Sequence, residues 1–219
     1  MRLLETWGAF PRGHPAICYL SHTWGADDQE ITFRDVQHHT GHHKDGYQKL
    51  TFCGEQAALD GLRYFWIDTC CIDKSNSQEL QEAINSMFRW YRDARHCYVY
   101  LTDVHKIASD DDDRPSQVKW ETAFRSSRWF TRGWTLQELI APTYCHECTR
   151  IPIDALRGKP LTDFSVNERL SWVETRKTKR PEDLAYCMFG IFAVHMTLIY
   201  SEGKENAFIR LRRKIGNHP

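Results

Sequence analysis

Three short apolar runs in the first half of the chain predict buried strands. They cover residues 16–20, 64–68 and 97–101, and they contain mainly aromatic, aliphatic and cysteine side chains. Runs of this length and composition are typical of strands inside a sheet. Between them, residues 47–62 and 76–91 have the apolar spacing of helices, and the second segment starts with helix-capping residues. Strands that alternate with helices predict a parallel sheet joined by right-handed crossovers.

The two ends of the chain have other patterns. Residues 1–15 are interrupted by proline and glycine, and we predict an arm or loop there. At 219 residues, the chain suits one large domain. We therefore predict a single domain over residues 1–219, with an α/β core at 16–150 and a helical part at 151–219. The helices predicted in the last part cover residues 167–175, 181–192 and 203–215.

Polar side chains follow the first two predicted strands. Ser21, His22 and Trp24 come after the first strand, and Asp68 and Asp73 lie at and after the end of the second. In parallel α/β sheets, ligands bind at the carboxyl ends of the strands. These five residues are therefore candidate ligand-binding residues. The alternative is structural: a capping serine and a packed tryptophan in the first loop, and aspartates that hold turns in the second.

Residues 133–142 begin with a glycine and end with a proline, and they predict a short helix packed on the core. Trp134 and Glu138 are four residues apart, so they lie one above the other on the same helix face. An indole beside a carboxylate can form the wall of a pocket for a flat cationic ring and a ribose. The alternative is a buried tryptophan beside a glutamate that pairs with Arg128 or Arg132.

The overall composition argues against several classes of partner. Lys and Arg together number 29, equal to Asp and Glu, so no net charge attracts nucleic acid or an anionic membrane. No segment reaches the apolar length of a membrane-spanning helix, and the first residues lack the apolar stretch of a signal peptide. We predict a cytoplasmic protein without nucleic-acid or membrane partners.

The cysteine and histidine residues do not have the spacing of a complete metal site, and we predict none. Cys145 and Cys148 form a single CxxC pair, which leaves a redox-active pair, half of a zinc site and an incidental pair as alternatives. A catalytic thiol at Cys70 or Cys71 would need a low pKa, and no histidine lies nearby in sequence to activate it. Residues 26–45 contain four clustered histidines and are predicted to be a solvated loop.

Ordered segments of the chain resemble the fungal heterokaryon incompatibility (HET) domain. They are Leu-Ser-His-Thr-Trp-Gly at 20–25, Trp-Ile-Asp-Thr-Cys-Cys-Ile-Asp-Lys at 66–74, and Arg-Gly-Trp-Thr-Leu-Gln-Glu-Leu-Ile-Ala-Pro at 132–142. Segments at 168–172 and 182–187 are similar too, so the resemblance extends over nearly the whole chain. In one departure, Ser201 stands where the family usually has the first glycine of Tyr-Gly-Glu-Gly.

The resemblance implies both a fold and a function. HET domains trigger growth arrest and cell death when incompatible fungal cells fuse, and they are thought to be distant relatives of TIR domains. This implies a TIR-like (flavodoxin-like) α/β fold, a parallel sheet flanked by helices, with a helical C-terminal extension. Many TIR domains hydrolyse NAD⁺ with a glutamate on a helix after the third strand, and several have a tryptophan four residues earlier. Trp134 and Glu138 match that pair in spacing and position.

The resemblance therefore implies that Glu138 is the catalytic carboxylate of an NAD⁺ or NADP⁺ glycohydrolase that releases nicotinamide and needs no cofactor. Trp134 or Trp24 would stack on the nicotinamide ring, and Arg132 would bind phosphate. The remaining candidates would line the pocket: Ser21, His22, Asp68 and Asp73. Such an enzyme is expected to be a homo-oligomer when active. The alternative is a non-enzymatic signalling module that oligomerises or recruits protein partners.

Overall fold

A four-stranded sheet forms within the residues that the computed structural model describes, which are 1–6, 16–104, 116–142 and 151–216. Its order is β1-β3-β2-β4. The second strand pairs in parallel with the third and the fourth, as the alternating pattern predicts. The strands are β1 (Leu4–Glu5), β2 (Ile17–His22), β3 (Tyr64–Trp66) and β4 (His96–Tyr100).

Strand β1 corrects two expectations. It pairs antiparallel with β3, Leu4 opposite Phe65 and Glu5 opposite Tyr64, so the sheet is mixed rather than purely parallel. The prediction of an arm or loop over residues 1–15 is therefore wrong at this point. A strand of two residues has too few positions to show alternation, and only its pairing with β3 identifies it.

Helices account for most of the other regular structure in the described residues. The long helices α2, α3 and α9 confirm the predicted ones, and no helix in these ranges is both long and apolar enough to cross a membrane. The helices are α1 (Phe33–His38), α2 (Tyr47–Leu59), α3 (Ser77–Arg92), α4 (Ser116–Arg125), α5 (Thr135–Ile140), α6 (Ile153–Leu156), α7 (Val166–Ser171), α8 (Asp183–Tyr186) and α9 (Gly203–Gly216).

Helix α1 lies in the histidine-rich segment that was expected to be a loop. The Thr32 hydroxyl accepts a hydrogen bond from the Asp35 N–H over 3.2 Å, and the Asp35 carboxylate accepts one from the Thr32 N–H over 2.9 Å. This reciprocal capping box starts a helix although the segment has little apolar periodicity.

The start of α3 is tied to the loop that follows β3. Asn76 caps the helix by accepting hydrogen bonds from the N–H groups of Gln78 and Glu79, both over 3.1 Å. Glu79 does not complete the capping box, because its carboxylate accepts instead from the Asp73 N–H over 3.1 Å. The helix end therefore holds the backbone of a loop that leads to the candidate site.

The predicted helix over residues 181–192 ends early, at Tyr186 in α8. The next three residues, Cys187, Met188 and Phe189, are fully buried. A Cβ atom added to Gly190 would lie 2.0 Å from the Cβ of Phe88 on α3. This close packing requires glycine, and it favours a buried turn over continuation of the helix.

Two hydrophobic clusters meet at α5. One surrounds the sheet and includes Trp66 and Tyr91, and the other lies among the C-terminal helices and includes Trp172 and Phe189. Trp134, directly before α5, packs against both clusters. The helix that carries Glu138 therefore lies at the junction between the sheet and the C-terminal part.

Ser201 keeps a backbone conformation that favours glycine. Its φ angle is 100°, in the left-handed region that residues with a Cβ rarely adopt. A serine therefore occupies a backbone position that glycine would suit better.

Candidate functional site

A pocket lies where the carboxyl ends of β2 and β3 approach α5. Its walls come from the residues after these two strands, from α5 and the loop before it, and from a segment of the C-terminal part. In a parallel sheet this edge is the usual place for a ligand. The predicted site residues that line the pocket are His22, Trp24, Asp68, Arg132, Trp134 and Glu138.

Ser21 orients Glu138. The glutamate lies in the first turn of α5 and is 6% exposed. The Ser21 hydroxyl donates to the Glu138 carboxyl group, and Trp129 Nε1 donates to the same hydroxyl oxygen over 2.8 Å. Ser21 is fully buried and is not among the residues that line the pocket. Ser21 therefore affects the pocket only through its hydrogen bond to Glu138.

The surroundings of Glu138 favour its protonated form. Burial raises the pKa of the carboxyl group from 4.5 to about 8, and the negative charge of Asp68 acts in the same direction. The Ser21 hydroxyl, the positive charge of Arg176 and the Tyr91 hydroxyl lower the pKa, but they offset only part of this rise. A buried carboxyl group with a pKa near neutrality is typical of catalytic acids and bases.

Asp68 differs from Glu138 although both face the pocket. Trp24 Nε1 donates to one Asp68 oxygen over 2.8 Å, and His22 Nε2 lies 2.9 Å from the other. Burial alone would raise the pKa of Asp68, but the hydrogen bond and charge of His22, with smaller contributions from Lys74 and Trp24, lower it overall. Asp68 is therefore the permanent negative charge of the pocket.

His22 retains an unused polar atom. Its side chain is 1% exposed, and its Nδ1 atom is buried without a hydrogen-bond partner among the described residues. Buried polar atoms normally have partners, and an exception is informative. Since His22 lines the pocket, this nitrogen is a candidate contact for a ligand.

No arginine forms an ion pair with Glu138 in the described part of the chain. Arg128 donates instead to the Thr23 hydroxyl over 3.1 Å and to the Trp24 carbonyl over 2.9 Å. Arg132 lines the pocket beside Glu138 without a salt bridge to it. The alternative of a glutamate neutralised by Arg128 or Arg132 is therefore wrong.

The loop that carries Trp24 is held by a buried ion pair. Lys49 pairs with Glu30, and both side chains are less than one-tenth exposed. The Lys49 ammonium group also donates to the Thr23 carbonyl over 3.1 Å, and the Gly25 N–H donates to Glu30 over 2.5 Å. These contacts fix the backbone on both sides of Trp24.

Trp24 is covered by two cations. The Lys74 ammonium lies 3.7 Å from the centroid of the Trp24 ring, and the Lys179 ammonium lies 5.2 Å from it. Both distances are within the range of a cation–π contact. Lys179 also forms an ion pair with Asp27. A ligand that stacks on Trp24 must therefore displace or share these contacts.

Sequence reasoning missed the pocket wall formed by the C-terminal part. Gly133 donates its N–H to the Lys177 carbonyl over 2.9 Å, and a Cβ on Gly133 would lie 2.4 Å from Thr178. This close approach brings Lys177 and Lys179 into the pocket. The only signal in the sequence is the basic run at residues 176–180, which alone does not indicate where it packs.

A third carboxyl group, Asp183, also lines the pocket. Burial raises its pKa, and hydrogen bonds from the Trp134 indole and the Tyr200 hydroxyl offset part of the rise. Trp134 is therefore oriented by Asp183 at one end of the pocket.

Asp73 lies outside the pocket that contains Glu138. Its carboxylate accepts hydrogen bonds from the N–H of Ser75 over 3.0 Å and from its hydroxyl over 2.6 Å, as in a turn. It lines a separate cavity that also contacts Trp24. The structure therefore assigns it a turn-forming contact, which was the alternative for this residue.

Metal and thiol chemistry receive no support from the described residues. They include no group of three or more His, Cys, Asp or Glu side chains that could hold a metal ion. Cys70 and Cys71 are buried, and the pKa of Cys70 is raised by its contact with Cys71 and by burial. A raised pKa opposes thiolate formation. Cys145 and Cys148 lie outside the described residues.

On the side of Trp24, two larger cavities adjoin the pocket, whose own volume is about 70 Å³. A middle cavity of about 260 Å³ shares Trp24, Asp68, Trp134 and Lys179 with it. An outer cavity of about 520 Å³ shares Trp24 and Lys74 with the middle one. Trp24 lines all three spaces, which are together called the groove below.

The structure is thus an α/β domain with a groove at the carboxyl ends of its parallel strands. Residues 18–119 of the chain match the family described as Heterokaryon incompatibility protein (HET). The chain belongs to this family. It is 53% identical over 245 residues to the vegetative incompatibility protein HET-E-1 of Podospora anserina. That match covers 99% of this chain but 18% of the longer protein. No solved structure matches the chain.

Proposed function

We propose that this domain is a cell-death effector of heterokaryon incompatibility that hydrolyses NAD⁺ or NADP⁺, releases nicotinamide and depletes the dinucleotide. It acts in the cytoplasm, as a homo-oligomer when active. The observation that carries the proposal is the state of Glu138: a buried carboxyl group, open to a pocket, with a pKa raised to about 8 and no arginine partner among the described residues.

The strand order supports a TIR-like relationship. The three parallel strands lie in the order second, first, third, with β2 between β3 and β4. Flavodoxin-like sheets begin with this order. Glu138 lies on α5, which follows the third parallel strand, as the glutamate of the NAD⁺-hydrolysing relatives does. Likeness of fold alone does not define an activity, so the argument depends on the site.

Glu138 carries the chemistry. In the free protein its raised pKa keeps much of it protonated at neutral pH. The positive charge of a bound nicotinamide ring favours the ionised form. The carboxylate then stabilises an oxocarbenium-like state as the bond between C1′ and the ring nitrogen breaks, and the electron pair leaves with nicotinamide. A water molecule adds to C1′ and loses a proton, which gives ADP-ribose.

The other residues orient the substrate. Trp134 stacks on the nicotinamide ring from the same helix face as Glu138, and Asp68 attracts its positive charge. The free Nδ1 atom of His22 contacts the ribose or the amide. Arg132 lines the same pocket and binds the nearest phosphate.

The test is release of nicotinamide from NAD⁺ by the purified protein in an assembled state. Glu138→Gln keeps the shape of the side chain and removes its charge, and we expect the rate to fall by about 1000-fold. Glu174→Gln, which changes an exposed glutamate, is the matched control and should retain full activity. Absence of nicotinamide release at high protein concentration, or full activity of Glu138→Gln, contradicts the proposal.

The second candidate is a non-enzymatic signalling module. Trp129 donates to Ser21, and Ser21 donates to Glu138. A carboxyl group with a purely structural role would have the same hydrogen bonds, and this favours the second candidate. In that case folded Glu138→Gln should still cause cell death in fungal cells. Loss of cell death by a variant with unchanged folding excludes this candidate.

A further inference from the structure

The pocket beside Glu138 is too small for a whole dinucleotide. Its volume is about 70 Å³, whereas pockets for small molecules usually measure about 300–1,000 Å³. The groove continues past Trp24 into the middle cavity of about 260 Å³ and the outer cavity of about 520 Å³. Glu138 also lines a cavity of about 400 Å³ on another side, but Asp68 and Trp134 do not line that cavity. A ligand that contacts Asp68 and Trp134 as well as Glu138 therefore extends along the Trp24 side.

Two ammonium groups lie beside Trp24, where the pocket and the middle cavity share a wall. Lys74 and Lys179 both line the middle cavity and both lie over the ring of Trp24, at 3.7 Å and 5.2 Å. Lys179 is paired with Asp27, and Lys74 has no hydrogen bond or ion pair with any described residue. Burial lowers the pKa of Lys74, and the charge of Lys179 acts in the same direction, so the two like charges repel each other. An anion that contacts both ammonium groups relieves this repulsion.

We propose that Lys74 and Lys179 bind the diphosphate of a dinucleotide, so that its second nucleoside lies in the outer cavity. Lysine binds phosphate as a point charge, and the flat face of Trp24 keeps both ammonium groups near the ligand path. The identity of the dinucleotide rests on the proposed function, whereas the anion site rests on the positions of the two lysines.

The outer cavity has the composition that a nucleoside requires. Ile31, Phe33 and Ile72 provide apolar surface for a base, and Arg34 and Asp73 provide polar groups at the same cavity. Ligand sites commonly combine such an apolar lining with a few polar groups. This arrangement also gives Asp73 a place beside the ligand, although it lies outside the pocket of Glu138.

The experiment measures binding of inorganic pyrophosphate and of ADP-ribose by titration calorimetry. Lys74→Met and Lys179→Met remove one charge each and keep an apolar stem over Trp24. We expect each to weaken binding by about 10-fold and the double variant by about 100-fold. Lys74→Arg, which keeps the charge, should bind within about threefold of the unchanged protein.

Lys204→Met is the matched control, because this exposed lysine on α9 also lies over an aromatic ring, 6.0 Å from the Phe208 centroid. It should bind both ligands as the unchanged protein does. The proposal is overturned if the unchanged protein binds neither ligand at millimolar concentration, or if the double variant binds as tightly. It is also overturned if Arg132→Met abolishes binding while the lysine variants retain it.

This measurement is independent of turnover. Failure to release nicotinamide contradicts the proposed function but leaves an anion site at the two lysines intact. Unchanged binding in the double variant contradicts the anion site but leaves hydrolysis at Glu138 intact.

Discussion

The end of β3 and the start of α5 each present one carboxyl group to the pocket, and the two surroundings differ. Asp68, after β3, is bound by Trp24 and His22, and its pKa is lowered. Glu138, on α5, accepts a hydrogen bond from the Ser21 hydroxyl, and burial and the charge of Asp68 raise its pKa to about 8. Burial acts on both groups in the same direction, so the hydrogen-bond donors and nearby positive charges decide the outcome.

Neighbouring carboxyl groups with separated pKa values have separate roles. Asp68 is a fixed charge that anchors Trp24 and His22 and raises the pKa of Glu138. Glu138 is the group whose charge can change when a cation enters the pocket. Three substitutions test the difference, one in each carboxyl group and one in Ser21.

The largest expected effect is on stability in Glu138→Gln. The ordinary pKa of a glutamate side chain is 4.5, and the pKa of Glu138 in the folded protein is about 8. Between these pH values the unfolded chain binds fewer protons, so the unchanged protein loses stability as pH rises. Glutamine does not titrate, and the variant should therefore gain stability relative to the unchanged protein, reaching at most about 5 kcal/mol above pH 8.

Chemical unfolding of both proteins, repeated at intervals of about one pH unit between about pH 4 and pH 9, measures this difference in stability. The Glu174→Gln variant should show a constant difference across the range, because its glutamate is exposed. A difference for Glu138→Gln that does not change with pH would mean that Glu138 has the same pKa in the folded and the unfolded chain, which contradicts the raised pKa.

Asp68→Asn should have the next largest effect. It removes the fixed charge and weakens the anchoring of Trp24 and His22, so kcat/KM for NAD⁺ should fall by about 100-fold. It should also lower the pKa of Glu138, because the charge of Asp68 raises it. The rising limb of kcat/KM against pH should therefore move to lower pH.

The matched control for this change is Asp163→Asn, which alters an exposed aspartate outside the groove. It should leave both the rate and the pH profile unchanged. If the rising limb of kcat/KM against pH does not move in Asp68→Asn, the charge of Asp68 does not raise the pKa of Glu138.

The smallest of the three effects belongs to Ser21→Ala. Loss of the hydroxyl removes a hydrogen bond that lowers the pKa of Glu138, so the rising limb should move to higher pH, by about half a unit to one unit. The change also leaves Trp129 Nε1 buried without its acceptor, which should cost about 1–2 kcal/mol of stability. The pH dependence of kcat/KM and a thermal melt measure the two effects. A rising limb of kcat/KM that moves to lower pH would contradict the inference that the Ser21 hydroxyl lowers the pKa of Glu138.

Much of the sheet and part of the site could be predicted from the sequence. The strands β2, β3 and β4 and the helix face shared by Trp134 and Glu138 depend on local periodicity and spacing. The meeting of His22 with Asp68 also follows from the rule that carboxyl ends of parallel strands lie together. Strand β1 and helix α1 could not be predicted, because one depends on a distant partner strand and the other on a single capping box.

The local sequence does not show that the lysines of the groove reach it, since even the basic run at residues 176–180 does not indicate where it packs. Lys177 and Lys179 reach the pocket because Gly133 lets a C-terminal segment approach closely, and Lys74 becomes relevant only through its position over Trp24. Contacts of this kind join residues far apart in the chain, and no window of sequence contains both partners.

The amino-acid order by itself determined which residues form the parallel strands and that an indole and a carboxyl group share one turn of helix. These properties depend on neighbours along the chain, through spacing and propensity. Only the tertiary structure decided the charge state of Glu138, because that depends on burial, on Asp68 and on a serine 117 positions away. A pKa responds to what lies nearby in space, and the sequence does not state which residues those are.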